Sequence, residues 1–421
     1  MSLAKPERLA KIKRERIEQR IFMDGNGEGI EKEEANRGKN TPARVRFSFS
    51  GDNLRDRGIA GHPKSLHPLG MLHFAVILSV LASGIVLSAA EPPEVEAKNI
   101  RRISHNGEHN AFTDLIRWKG AYWLTFRSCP DGHMVFPTST VRILRSEDAN
   151  EWKEVHQFSV AKRDVRDPHF LVFKEKLFVY TGTWWSGDGE LPREEYDLNL
   201  HLGYAVHTAD GGEWSEPTQL EGTFGHYIWR AAAHGDKAYL CGRRKRDYTN
   251  DVGGSGGVKI LEAAMLESDD GIVWKYHSLF QPEFGNETAF LFEEDGSLLS
   301  LSRCKGNLAQ LSRTAPPWKE KELIDIPLYV GGPLLTKWGD RYLVGGRRTT
   351  EEGPRTTLYW LKENELKPFL ELPSDGDNSY PGFVEHDDGS GLVSWYSTHE
   401  KDKEGNPITA VYLADLALTK P

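Results

Sequence analysis

The sequence predicts an all-β protein, a six-bladed β-propeller of four-stranded antiparallel blades over residues 98–421. Two observations carry that expectation. From about residue 100 onward one phrase recurs, consisting of a short apolar run, a turn at Gly or Asp-Gly, and a second run that closes on a polar residue. A separate signature lies at a fixed place in three of the units: Ser146-x-Asp148 with Trp152, Thr208-x-Asp210 with Trp214, and Ser268-x-Asp270 with Trp274.

The first phrase is FTDLIRWKGAYWLTFR. HFLVFKEKLFVYTGTW, IWRAAAHGDKAYLCGRR, TAFLFEEDGSLLSLSR, PLLTKWGDRYLVGGRR and FVEHDDGSGLVSWYS follow, six units at intervals of roughly 45 to 63 residues. In the Ser/Thr-x-Asp signature the Asp side chain is expected to accept backbone N–H groups of a tight turn while the Trp packs between sheets. Ser312 and Trp318 keep the spacing in the fourth unit without the Asp. An open last blade would expose a strand edge, so NIRRIS near Asn99 and the terminal AVYLADLAL are expected to meet and close the ring.

Composition narrows the function class. Among 421 residues, 22 Pro and 41 Gly are too few and too aperiodic for a collagen or a low-complexity chain. The net charge is −9, but 15 basic and 10 acidic residues precede Met71, which leaves 38 basic against 52 acidic for the rest. An acidic, aromatic-rich body argues against a nucleic-acid partner. Cys129, Cys241 and Cys304 lack the density of a disulfide scaffold and the C-x-x-C spacing of a metal site, leaving open one disulfide with a spare thiol. The Asp-Gly and Gly-Asp pairs at Asp295, Asp340 and Asp388 are hairpin turn signals rather than calcium loops, so neither metal nor cofactor is expected.

Residues Met71 to Ala90 contain one apolar run, Phe74 to Val86, followed by the small-x-small pattern Ser88-Ala89-Ala90. That is the form of an export signal, shorter than the ~20 apolar residues of a comfortable bilayer span, so cleavage is expected over a stable anchor. A signal anchor is the rival expectation. Residues 1–70 are charged and poor in apolar periodicity, and are expected to be a disordered extension or to precede a true start at Met71. The exported product is expected to be a monomer.

In a propeller the starts of the innermost strands and the ends of the second strands share one face around a central funnel. Strand starts place Asn110, Asp114, Arg166, Asp167, Trp229, Arg230, Glu287 and Tyr380 there. Second-strand ends add Arg127, Trp184, Trp185, Arg243, Arg303, Arg347, Arg348 and His399. Several guanidinium groups facing one funnel suit an anionic ligand, and a glycan carrying an acidic sugar is the expected partner. For each single Arg the competing role is a structural clasp to a neighbouring carboxylate.

Particular segments carry a family resemblance. GNETAFLFEEDGSLLSLSR is similar to the sialidase segment in which a Glu opens a strand and an Arg ends the next, positions held by Glu287 and Arg303. SYPGFVEHDDG resembles the last-blade segment with the tyrosine nucleophile, which implies Tyr380. FRSCPDGHMVFPTSTVRILRSEDANEW resembles the first-blade stretch with the acid/base Asp, which implies Asp131. The Ser/Thr-x-Asp turns match the Asp boxes of the same superfamily, and HNAFTDL, RDP, GDNSYPG and YSTHE resemble phrases of secreted bacterial sialidase-like proteins.

The resemblance covers about 315 residues and implies a retaining glycoside hydrolase with Tyr380 as nucleophile, Glu287 as its base and Arg303 and Arg347 as anion clamps. His109-Asn110-Ala111 stands where the family carries a further arginine, so Arg127, Arg166 or Arg230 is expected to complete the anion site. Asn110, Asp114, Trp229 and His399 complete the expected substrate-binding set. Arg166-Asp167-Pro168 also resembles a motif of five-bladed furanosidases, which implies an alternative carboxylate pair, Asp167 and Glu287. A third reading is a propeller that binds glycan without cleaving it, with Trp184, Trp185 and Trp229 as stacking platforms.

Overall fold

The alternating apolar residues of each unit form antiparallel hairpins, and in the computed structural model of the chain these assemble into six sheets of four strands. Residues 93–249, 260–306 and 308–419 are described. The expected signal at Met71 to Ala90 and the segment before it lie outside the described residues. From the axis outward, blade 1 comprises His109–Trp118, Ala121–Cys129, Thr140–Ser146 and Lys153–Phe158, and blade 2 Arg163–Phe173, Lys176–Trp185, Leu202–Thr208 and Thr218–Gln219. Blade 3 comprises Tyr227–His234, Lys237–Lys245, Leu261–Ser268 and Lys275–Gln281, and blade 4 Thr288–Phe292, Leu298–Arg303, Ala309–Thr314 and Ile324–Ile326. Blade 5 comprises Gly331–Trp338, Arg341–Thr350, Gly353–Lys362 and Glu365–Leu372.

Blade 6 closes the ring as expected. Its first three strands, Asn378–Glu385, Gly391–Lys401 and Pro407–Leu418, are completed by Val95–Ser104, with Val95 opposite Leu418 and Ser104 opposite Val411. The apolar core is distributed between blades. Trp338, Trp360, Trp395 and Tyr412 fill the space between blades 5 and 6, and Trp118, Trp123, Phe170 and Val179 that between blades 1 and 2. Cys129, Cys241 and Cys304 are buried free thiols, so none of them pairs. Among the described residues no helix is long and apolar enough to cross a membrane.

The turns between third and fourth strands bond as the sequence signature requires. Asp148 Oδ1 accepts from the N–H groups of Asn150 and Glu151, at 2.9 and 3.0 Å. Asp210 does the same for Gly212 and Glu213, and Asp270 for Ile272 and Val273. Trp318 keeps the corresponding place in blade 4, and its indole donates to Gly296 O.

Five innermost strands share one irregularity. The pairing with the second strand gains one extra residue between Ala111 and Asp114, Arg166 and His169, Ile228 and Ala231, Gly331 and Leu334, and Ser379 and Gly382. Such a bulge re-aims a side chain relative to the regular pleat. In four of the five bulges the first inserted residue has positive φ: Phe112 at 63°, Asp167 at 54°, Gly332 at 60° and Tyr380 at 54°. Left-handed backbone is costly for residues other than Gly and persists only where surrounding structure enforces it. Trp229 is the fifth member, and in blade 4 Glu287 precedes the regular ladder that begins at Thr288.

Arg230 sits on the same inner strand as Trp229 and reaches across the axis. It donates to Pro333 O and Pro381 O, both at 2.8 Å, and to Asp114 Oδ1 at 3.1 Å. Asp114 Oδ2 in turn accepts Phe170 N–H at 2.9 Å. One guanidinium therefore ties blade 3 to blades 1, 5 and 6, and its carboxylate partner adds blade 2. Replacing Arg230 by Met leaves the Asp114 carboxylate buried without its counter-ion, and breaking such a pair costs about 3–5 kcal/mol. A fall of that size in the unfolding free energy, measured by urea titration, is the expected outcome.

Candidate active site

The bulges place their side chains around a cavity of about 500 Å³ on one face of the ring. Phe112, Asp167, Glu287 and Tyr380 line it from inner strands, and Arg243, Arg303 and Arg347 from the ends of second strands. Gly332, the bulge residue of blade 5, contributes space. A Cβ there would lie 2.6 Å from Tyr380 Cδ2, so the absent side chain is what admits the tyrosine ring.

Tyr380 and Glu287 are joined directly: the phenol donates to Glu287 Oε1 at 2.8 Å. Phe112 and Trp229 hold the ring edge-on, with centroids 4.9 and 5.2 Å away. Burial, and then the negative charge of Glu287, push the Tyr380 pKa well above its ordinary value, so the resting group is a neutral phenol. Burial also pushes Glu287 upward. Arg303, with Nη1 at 3.2 and 3.1 Å from the two oxygens, the Gly332 N–H at 3.0 Å and the Tyr380 hydroxyl outweigh it and hold this carboxyl below its usual range. The pair is thus an ionised carboxylate hydrogen-bonded to a neutral phenol.

Asp167 has the opposite character. Burial raises its pKa well above the ordinary value, with Arg166 pulling the other way and the Glu287 charge adding to the rise. Tyr227 donates its hydroxyl to Oδ2, while Oδ1 is buried without a hydrogen-bond partner. A carboxyl group whose pKa burial holds well above its ordinary range therefore faces the same cavity as the carboxylate–phenol pair.

Most cations of the funnel already have counter-ions. Asp164 accepts from Arg127 at 2.7 Å and from Arg166 at 2.8 Å, and both arginines also donate to Met134 O. Arg347 Nη2 donates to Asp377 Oδ1 at 3.0 Å and to the Tyr396 hydroxyl at 3.1 Å. The other Asp377 oxygen meets His109 Nε2 at 3.0 Å and His133 Nδ1 at 2.7 Å. Burial pushes Asp377 upward, but its two histidine hydrogen bonds and Arg347 hold it well below the carboxylate range.

His109, His133 and Asp377 are a set whose ligand atoms all lie within 4.8 Å of one another, a spacing that suits a metal ion. Arg127 Nη1, however, approaches His109 Nδ1 at 3.2 Å. A guanidinium only donates, so Nδ1 accepts and the proton resides on Nε2, the atom a metal would need free. The cluster is accounted for as a hydrogen-bond network around Asp377.

The cavity brings together Tyr380, Glu287, Asp167, Arg166, Arg243, Arg303, Arg347 and Trp184 from the residues singled out in the sequence. It does not include the others. Asp131 is exposed on the turn after Cys129 and accepts from Thr138 at 2.5 Å, because the loop it opens presents His133 and Met134 to the cavity instead. Arg127 is fully buried behind that loop, on Asp164. Arg230 and Asp114 form the axial clasp, so neither Arg127 nor Arg230 supplies the further cavity arginine.

Trp229 is buried beneath Tyr380 and His169 rather than offered as a stacking face. Trp185 packs on Arg163. Asn110 bonds to Asn106 and Glu108 O, and His399 to Ser397. Phe112, Tyr227 and Tyr396 line the cavity without having been expected there, as do His133, Arg193 and Tyr196 from loops. Phe112 occupies the same unit position as Asp167 and Tyr380, a signal the repeats did contain.

No protein-family profile matches the chain, and none of the curated proteins is significantly similar to it in sequence. Solved structures are similar in fold. A protein of unknown function from Dyadobacter fermentans superposes with a TM-score of 0.62 at 20% identity, covering 78% of this chain and all of that one. Trypanosoma rangeli sialidase, in complex with 2,3-difluorosialic acid as a covalent intermediate, gives 0.52 at 13% identity over 72% of this chain and 54% of its own. The NanB sialidase of Streptococcus pneumoniae gives 0.54 at 11% identity, over 76% and 71%. The chain spans about half the length of the trypanosomal enzyme. Its fold is that of a sialidase-like six-bladed propeller.

The raised pKa of Asp167 makes a stability prediction. An unfolded Asp ionises near ~3.9, whereas the folded group holds its proton to higher pH, so the folded state loses stability as pH rises across that interval. Asn is neutral throughout and tolerates the left-handed backbone at this position. Asp167→Asn is therefore expected to be more stable than the parent at neutral pH, with the difference vanishing near pH 4. Thermal unfolding across a pH series measures it.

Proposed function

We propose that the protein is a retaining glycoside hydrolase that removes an acidic sugar from a glycan, with Tyr380 as nucleophile, Glu287 as its base and Asp167 as general acid. The observation that carries this reading is the 2.8 Å contact between the Tyr380 hydroxyl and Glu287, facing an open cavity that also holds Asp167, whose carboxyl pKa burial pushes well above its ordinary range. In the first step Tyr380 Oη bonds to the anomeric carbon as the glycosidic C–O bond breaks. Glu287 takes the phenol proton, and Asp167 gives its own to the leaving oxygen. In the second step water attacks the same carbon, Asp167 takes a proton from it, and the phenol oxygen leaves and recovers its proton from Glu287.

A neutral phenol suits a substrate bearing a carboxylate at the reacting carbon, which would repel a carboxylate nucleophile. The alternative pairing of Asp167 with Glu287 as the attacking carboxylate is disfavoured because both Glu287 oxygens are occupied, by Tyr380, Arg303 and Gly332. In this reading Met71 to Ala90 directs export, so that the propeller meets glycans outside the cytoplasm; the support is the apolar run and the small-x-small pattern.

Release of 4-methylumbelliferone from aryl glycosides of sialic acid, uronic acids and neutral furanosides, by protein starting at Glu91, tests the reading. Activity confined to acidic sugars is expected, with Tyr380→Phe and Glu287→Gln lowering kcat by about 10³-fold or more. Unchanged turnover in both variants would refute the mechanism, and binding of acidic glycan without hydrolysis by the parent would make the protein a lectin-like propeller.

The same groups set the pH profile of kcat/KM. Activity falls on the acid side as Glu287, held below its usual range, becomes protonated, and on the alkaline side as Asp167, held above its own, ionises. Asp167→Asn is expected to abolish the alkaline limb while retaining kcat/KM on aryl glycosides, whose leaving groups need little protonation, and to lower kcat because water then lacks its base in the second step. On alkyl-linked substrates the loss should be about 10²–10⁴-fold.

A further inference from the structure

Five arginines line the cavity, and their counter-ions differ. Arg166 lies on Asp164, Arg303 on Glu287 and Arg347 on Asp377. Arg193 is exposed at the margin, where water solvates it. Arg243 is the exception: among the described residues no carboxylate lies within ion-pair distance of it. Its Nε is buried without a hydrogen-bond partner, and Nη1 reaches only Asn286 Oδ1 at a long 3.4 Å. The guanidinium is held over the Tyr227 ring, 5.5 Å from its centroid.

A desolvated charge without a counter-ion is expensive unless something pairs with it. Burial accordingly pulls the Arg243 pKa below its ordinary range, Glu287 opposing and the neighbouring Arg303 adding to the fall. Arg303 itself uses Nη1 for Glu287 and makes no hydrogen bond through Nη2 among the described residues. Arg243 and Arg303 end the second strands of adjacent blades 3 and 4, so two guanidinium edges border one corner of the cavity next to the Tyr380–Glu287 pair.

We propose that Arg243, which has no carboxylate partner among the described residues, is the principal receptor for the carboxylate of the substrate sugar, together with the free edge of Arg303. The assignment rests on the acidic-sugar reading above and makes it specific: the anion enters on the blade 3–4 side. It also explains how the site dispenses with an arginine at His109. There His109, His133 and Arg347 surround Asp377, so that corner of the funnel supplies its own carboxylate.

Calorimetric titration of the full chain with N-acetylneuraminic acid and with its neutral methyl ester tests the assignment. The parent is expected to bind the acid about 10-fold or more tightly than the ester, the worth of one charge-assisted hydrogen-bond pair. Arg243→Gln should bring the ratio close to one. Arg243→Lys keeps the charge but loses the fork, and its ratio should fall in between. It carries the test if thermal unfolding shows the Gln variant to be misfolded, and a parent-like ratio in Lys would then count against the assignment. A parent-like ratio in Arg243→Gln overturns the assignment alone. A parent that binds neither compound, or binds both equally, overturns the acidic-sugar reading and the assignment with it.

Discussion

The site depends on one backbone constraint, the extra residue that five of the six inner strands insert within a few residues of entering the sheet. A regular strand would alternate its side chains between the two faces of each blade, and none would point along the axis into the funnel. The bulge breaks that alternation once per blade, in the same place each time. Phe112, Asp167, Trp229, Gly332 and Tyr380 occupy that place, with Glu287 at the corresponding point of blade 4. Aromatic packing, a bare glycine and the Arg230 bond to Pro381 O then hold Tyr380 in left-handed backbone that costs free energy in a tyrosine.

That geometry sets the electrostatics. Two carboxyl groups share the cavity and are driven to opposite protonation states by what surrounds them. Glu287 has a guanidinium, a backbone N–H and a phenol to stabilise its charge, whereas Asp167 has burial, one tyrosine hydroxyl and an orphaned oxygen. Separating two titratable groups in this way is how one site supplies both an acid and a base near neutral pH. The arginines divide similarly, those with internal counter-ions building the wall and Arg243 left to meet a ligand.

The architecture was legible because it repeats. Each blade restates the same apolar alternation and turn, so six weak signals reinforce one another, and the closing strand followed from the need to cover an edge. Tyr380, Glu287, Arg303 and Arg347 were legible for the same reason, as each sits at a strand end whose place the repeat defines. Asp131 was misplaced because it lies in the ten-residue loop from Pro130 to Ser139, where no periodicity fixes direction, and the loop turns His133 inward instead. Arg127 and Arg230 could not be told from binding arginines by position. What distinguishes them is Asp164 and Asp114, partners that other blades bring to them. His133, Arg193 and Tyr196 lie on loops that carry no signal of their own.

The central claim is that the Tyr380 oxygen attacks sugar carbon while Glu287 removes its proton. Incubation of the protein with a 2,3-difluorinated sialic acid, followed by intact-mass measurement and peptide sequencing by mass spectrometry, examines it most directly, since fluorine beside the reacting carbon slows breakdown of a glycosyl-enzyme. The account predicts a mass increase of one glycosyl unit, located on the peptide containing Ser379-Tyr380-Pro381 and on Tyr380 itself. A glycosyl group on Glu287 or Asp167, or hydrolysis of the parent aryl sialoside with no adduct on any residue, would contradict it.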